Sequence, residues 1–88
     1  MFDAIEVRKR EIAYEYCADQ KTFSSWLSCM NETEKKIDKK VKSMNRTEAI
    51  LFLSKTYEIC LYNAIKDFDA PTQTFKKCIN KKMGWENE

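Results

Sequence analysis

The stretch Asn45 to Asp69, NRTEAILFLSKTYEICLYNAIKDFD, decides the fold, because it carries more apolar side chains than one buried face can use. Ile50, Leu53, Tyr57, Cys60 with Leu61, Ala64 and Phe68 recur at helical steps, which stacks them on one side of a helix. A second stripe, Phe52, Ile59 and Tyr62, lies off that side. A helix apolar on more than one side must be covered by several neighbours or by a partner. This one is therefore expected at the centre of a small bundle. Asn45 with Glu48 three residues on has the form of a capping box. Asp69-Ala70-Pro71 ends the helix at about Asp67, since proline cannot continue a hydrogen-bonded helix but suits the first turn of a new one.

Both flanks of this stretch read as helix. From about Ser24 to Met44, Phe23, Trp26 with Leu27, Met30, Ile37, Val41 and Met44 form an apolar stripe. The other side carries Lys35, Lys36, Lys39, Lys40 and Lys42. Glu32, Glu34 and Asp38 stand among those lysines at helical spacing, so the reading is a solvated face, against a phosphate or anionic-lipid footprint. Upstream, Asp19 to Ser25 supply polar side chains for a turn and a helix start. Before them Phe2, Ile5, Ile12 and Tyr16 share one side of a short first helix, about Asp3 to Tyr16. Downstream, a helix from Pro71 to Met83 turns Phe75, Cys78 and Ile79 inward, and Gly84 stands where a left-handed cap is wanted. Trp85, just past the cap, either folds back onto the core or serves as an exposed anchor for a partner.

One glycine and one proline in 88 residues favour helices over hairpins, so the chain is expected to be a single all-α domain spanning 1–88. A domain this small buries only roughly 60% of the surface of its unfolded chain, which leaves the core marginal. Histidine is absent, removing the usual general base near neutral pH and the commonest nitrogen ligand for a metal. Glu, Asp, Lys and Tyr are present, but no spacing gathers a nucleophile and a base. No enzyme activity, cofactor or metal is expected.

Sixteen basic and fourteen acidic residues, largely interspersed, give a net charge of +2, which does not demand a nucleic-acid partner. No run approaches the roughly 18 apolar residues of a membrane span. MFDAIEVRKREIA is neither an anchor nor a secretory signal, so an exported chain is expected in its mature form or by a signal-independent route. Asn31-Glu32-Thr33 and Asn45-Arg46-Thr47 match the glycosylation pattern, which matters in a eukaryote alone.

Cys17, Cys29, Cys60 and Cys78 are the most informative residues. Compact zinc sites draw ligands from short knuckles, whereas the gaps here are eleven, thirty and seventeen residues. Four reduced core thiols are the plainer alternative. Geometry favours disulfides and one pairing. Cys17 and Cys29 are each six residues from Phe23, in the first turn, and Cys60 and Cys78 each nine from Asp69, in the last. Residues equidistant from a turn face each other across antiparallel helices, which pairs Cys17 with Cys29 and Cys60 with Cys78. One straight helix would hold Cys17 and Cys29 roughly 18 Å apart, out of reach. Each closed loop constrains the unfolded chain by about 3 kcal/mol. The expected fold is thus a four-helix bundle of two hairpins, each stapled by a disulfide, in an oxidising compartment.

The motif CADQKTFSSWLSC, with Ala18 after the first cysteine and Thr22 in the turn, resembles the opening of the small periplasmic or lipoprotein family typified by the lysozyme inhibitor LprI. Asp38, nine residues after Cys29, and Val41 fall where that family carries an Asp and an aliphatic residue, and the resemblance extends to about Met83. Leu53 and Tyr57 replace a Trp and an Arg, Lys42 and Asn45 replace an Asn and a Tyr, and Asp69-Ala70-Pro71 replaces a glycine-rich break. The resemblance implies export, to the periplasm or outside the cell, and binding to a lysozyme or related cell-wall hydrolase by steric occlusion.

The functional expectation is an exported helical protein that binds another protein through Phe52, Ile59, Tyr62 and Trp85. The same groups could instead pack inside the bundle or a homodimer. The alternative is a mitochondrial intermembrane-space protein of the twin-cysteine helical-hairpin type, an assembly factor or chaperone, which would pair Cys17 with Cys78 and Cys29 with Cys60.

Overall fold

Helices begin where a side chain can accept from the free backbone amides of the first turn, and the computed structural model, which describes residues 3–85, follows this rule. It contains α1 (Ala4–Tyr16), α2 (Phe23–Val41), α3 (Arg46–Lys66) and α4 (Pro71–Met83). Asp3 accepts from the Ile5 amide at 3.0 Å to open α1. Thr22 and Ser25 form a reciprocal capping box on α2, Thr22 Oγ1 accepting from the Ser25 amide at 3.1 Å. Asn45 caps α3 by accepting from the Glu48 amide at 2.9 Å, while its own amide group donates to Glu48 Oε1. α4 lacks a side-chain cap at Ala70 and starts on Pro71, which has no amide to satisfy. Asp67 compensates one turn earlier: its carboxylate accepts from the amides of Asp69 and Ala70, each at 3.1 Å, and from the Thr74 hydroxyl. Gly84, at φ 78°, ends α4 in the left-handed region.

The pairing of helices is as the cysteine spacing requires. α1 and α2 form one hairpin closed by Cys17–Cys29, with Cα atoms 5.9 Å apart, and α3 and α4 form another closed by Cys60–Cys78, at 5.4 Å. Thr33, itself buried, sets its hydroxyl 3.6 Å from the Cys17 sulfur. All four helices feed one core, with Ile12, Ile37, Leu53, Cys60, Phe75 and Ile79 at its centre.

α3 buries five residues, the most of the four helices, and α1 shares the middle of the bundle with it. α3 packs on α1 and α4, whereas α1 packs on all three others. A short helix takes this place because one side brings Ile12 and Ala13, both without exposed surface, against its neighbours. Its buried cation is accommodated by pairing: Lys9 Nζ lies 2.8 Å from Glu6 Oε1 and 3.1 Å from Asp38 Oδ1, tying α1 to α2. Burial pulls the Lys9 pKa down, but the two carboxylates outweigh it and hold the ammonium above its usual range. Asp38 thereby has a structural role in joining α2 to α1.

Three expectations change. Phe68, placed on the core stripe of the third helix, is 94% exposed, because that helix stops at Lys66 and the extended backbone of Asp67 takes the next residues out of helical phase. α2 begins and ends earlier than the expected Ser24 to Met44, since Asn45 must be extended to cap α3 and residues 42–44 form the turn, with the Met44 amide on the Val41 carbonyl at 3.0 Å. The upper half of the α2 stripe is not buried: Phe23 and Leu27 are exposed, while Thr33 and Ile37 are buried. The reason is length, since α2 has 19 residues and α1 only 13. Phe2, expected on the α1 stripe, lies outside the described residues.

Candidate functional site

Titratable groups with displaced pKa values occupy structural posts. Thr74 and backbone amides hold the Asp67 carboxyl below its usual range. Burial pushes the Asp19 carboxyl up, but Lys76, 3.4 Å away, with the Gln20 side chain and a backbone amide, together outweigh it and hold the group below its usual range. Burial, with Glu11 and Glu15 nearby, raises the Tyr57 hydroxyl, whose ring also lies under the Arg8 guanidinium. These groups are spread over separate helix ends and junctions. Among the described residues no three His, Cys, Asp or Glu side chains converge as a metal site, and no helix is long and apolar enough to cross a membrane.

Of the four residues expected to bind a partner, Phe52 and Ile59 line one groove, whereas Tyr62 and Trp85 lie elsewhere. Phe52 is half-buried against the core with Lys40 Nζ 6.0 Å from its ring centre. Ile59 lines the groove between α3 and α4. Tyr62 points outward, 62% exposed, with Lys66 Nζ 4.6 Å over its ring. Trp85 is only 8% exposed and belongs to the core, which is the folded-back alternative of the two expected, not the exposed anchor. Its amide donates to the Asn80 carbonyl at 2.8 Å, its ring meets Tyr16 edge-on at 5.9 Å, and Lys36 Nζ lies 4.4 Å above it. Tyr16 in turn donates to Asn80 Oδ1 at 2.6 Å.

Other apolar groups take the exposed places. Leu51, Tyr62 and Ile65 fall on one side of α3 at 3.6 residues per turn, all exposed, and Phe68 follows beyond the helix end. At the opposite hairpin Phe23 and Trp26 lie 5.8 Å apart, with Tyr14 edge-on to Trp26 at 6.3 Å, where α2 overhangs α1. The apolar periodicity of α2 identified these side chains but not that their cover would run out.

The lysines were read as solvated, and the fold gathers them. A cleft of about 410 Å³ between α2 and the end of α4 is lined by Lys36, Lys39, Lys40, Met83, Gly84 and Trp85. A second, of about 400 Å³, lies between α3 and α4 and is lined by Ile59, Asn63, Lys77, Cys78, Lys81 and Lys82. A third, of about 240 Å³, adds Phe52, Lys55 and Thr56 and shares Ile59 and Lys82 with the second. Among the described residues no acidic side chain lines any of them. Asp38, expected to offset the α2 lysines, faces Lys9 instead. Of the two possible glycosylation triplets, one contains the buried Thr33 and the other uses Asn45 as a helix cap.

Comparison of the chain with protein-family models, with curated proteins and with solved structures finds no match.

Proposed function

We propose that this chain is a disulfide-framed binding protein of an oxidising, extracytoplasmic compartment, periplasmic or secreted, and that its partner is another protein. One observation carries the reading: large apolar side chains stand exposed in groups on a frame that two disulfides hold, foremost Leu51, Tyr62, Ile65 and Phe68 along α3. Single exposed apolar residues need no explanation, but grouped ones mark interaction surfaces. Aromatic and aliphatic groups on a rigid helix lose little entropy when they are covered.

The cysteine motif around Cys17 and Cys29 supports a cell-wall hydrolase, lysozyme in particular, as that partner. A basic enzyme would avoid the lysine-lined clefts and dock on the apolar α3 side, where Glu58 is also exposed. The intermembrane-space alternative expects nested disulfides, whereas the pairs here are sequential.

Affinity capture from the native extracytoplasmic fraction tests the reading, using the wild-type chain and a Leu51→Asp, Tyr62→Asp, Ile65→Asp variant as baits. A partner held by the first and lost from the second is expected. Identical captures on both would refute the α3 surface. Lysozyme turnover measured with the oxidised protein in excess tests the finer partner, and undiminished turnover would remove it. Sedimentation of the same two proteins detects a homodimer covering this face.

A further inference from the structure

The groove between α3 and α4 is a different surface from the apolar face above, and its composition is selective. Its inner lining is Thr56, buried, with Phe52 and Cys78, half-buried; Ile59 stands at its edge. Around these, Lys55, Lys77, Lys81 and Lys82 are exposed. Lys55, Lys81 and Lys82 make no ion pair among the described residues, and Lys77 acts on Asp67 only from beyond contact distance. The helix macrodipole accounts for Lys81 and Lys82 in the last turn of α4. It does not account for Lys55 or Lys77, and Lys77 with Lys81 places like charges four residues apart, which disfavours the helix. Among the described residues no carboxylate lies within ion-pair distance of Lys77 or Lys81.

We propose that the α3–α4 groove binds an acidic amphipathic helix, a segment of a partner protein whose apolar side covers Phe52 and Ile59 while its carboxylates meet Lys55, Lys77, Lys81 and Lys82. The span from Phe52 to Asn63 is about 16 Å, three turns of helix, and two parallel ridges of neighbouring helices are the usual seat for a third. Lysines four residues apart on α4 match carboxylates at the same spacing on a helix alongside. A bilayer suits this surface less, because the apolar groups line a concave groove and the exposed positions are lysines. Nucleic acid suits it less as well, since Phe52 is half-buried and no exposed aromatic ring in the groove offers a stacking platform.

The test is fluorescence anisotropy on the full oxidised chain with a labelled helical peptide of about sixteen residues, leucines on one side and glutamates flanking them at i, i+4. Binding is expected, weakened at least about tenfold by Glu→Gln in the peptide, by Lys81→Glu with Lys82→Glu, and by Ile59→Asp. Circular dichroism melts check that each variant is folded. Should the double variant melt α4 by reversing charge at its dipole end, Lys55→Glu replaces it; should Ile59→Asp unfold the chain, Ile59→Ser replaces it. Equal binding of a scrambled peptide of the same composition, or no loss with the Ile59 variant, would overturn the groove in favour of charge attraction alone. Saturation by phosphatidylglycerol vesicles with no peptide binding would overturn it in favour of a lipid surface.

Discussion

The two hairpins share a plan, antiparallel helices closed by one disulfide, yet they are held in different ways. α3–α4 contributes Leu53, Cys60, Ala64, Phe75, Ile79 and Met83 to the core, and α1 covers its inner side. α2, in contrast, buries only Thr33 and Ile37 and leaves Phe23 and Leu27 in solvent. A staple across a packed hairpin adds to burial that already exists; a staple at an overhang substitutes for burial that is missing. The Cys17–Cys29 bond, with Cys17 itself buried, ties α2 to the end of α1 next to the exposed start of α2.

This contrast can be broken experimentally. The largest expected effect is Phe75→Ala, which empties a fully buried position and is expected to destabilise by about 3–5 kcal/mol, read as the shift in urea unfolding midpoint. Removing one staple should come next, at about 3 kcal/mol for either pair, but with different reach. Loss of Cys60–Cys78 should lower protection from amide exchange across α3 and α4 together. Loss of Cys17–Cys29 should release the first turns of α2 while α3 and α4 stay protected. Uniform loss in both variants would mean that the hairpins are energetically one unit.

The junction of α1 with α2 should answer to alkali. Lys9→Met is expected to destabilise by about 1 kcal/mol at pH 7, as partly exposed ion pairs do. Because the folded Lys9 pKa lies above the usual 10.5, its contribution is intact below that pH and is lost as pH rises through the folded value. Tyr57, raised above 10.0, acts in the same direction, so Tyr57→Phe is needed to separate the two in denaturant melts between about pH 9 and 12.

The junction of α3 with α4 should answer to acid. Asp67 is held below its usual 3.8, so its contribution is present above that pH and lost as pH falls through the folded value. Asp67→Asn, which keeps an acceptor for the amides, should flatten the acid limb of the stability curve. The smallest effect is expected for Phe23→Ser, within about 0.5 kcal/mol, since that ring is already 64% exposed. A loss of 2 kcal/mol or more would show that the overhang is packed after all.

Much of this molecule was legible before its structure. Asp3, Thr22, Asn45, Pro71 and Gly84 announce helix ends through contacts within about four residues, and the cysteines announce their partners by distance from each turn. The binding surface was less so. Phe52, Ile59 and Tyr62 lie on one stripe of the sequence, and the fold places the first two in one groove and Tyr62 in open solvent.

By itself the sequence determined the number of helices, the ends marked by Asn45, Pro71 and Gly84, and the covalent pairing, because backbone amides, turns and loop closure are satisfied locally. Tertiary structure decided that α1 shares the middle of the bundle with α3, that α2 overhangs α1, that Trp85 folds back, and that lysines from three helices line adjoining clefts. An apolar stripe says which side of a helix seeks cover. How much cover it obtains depends on the lengths and angles of other helices, and so on many weak contacts between residues far apart in the chain.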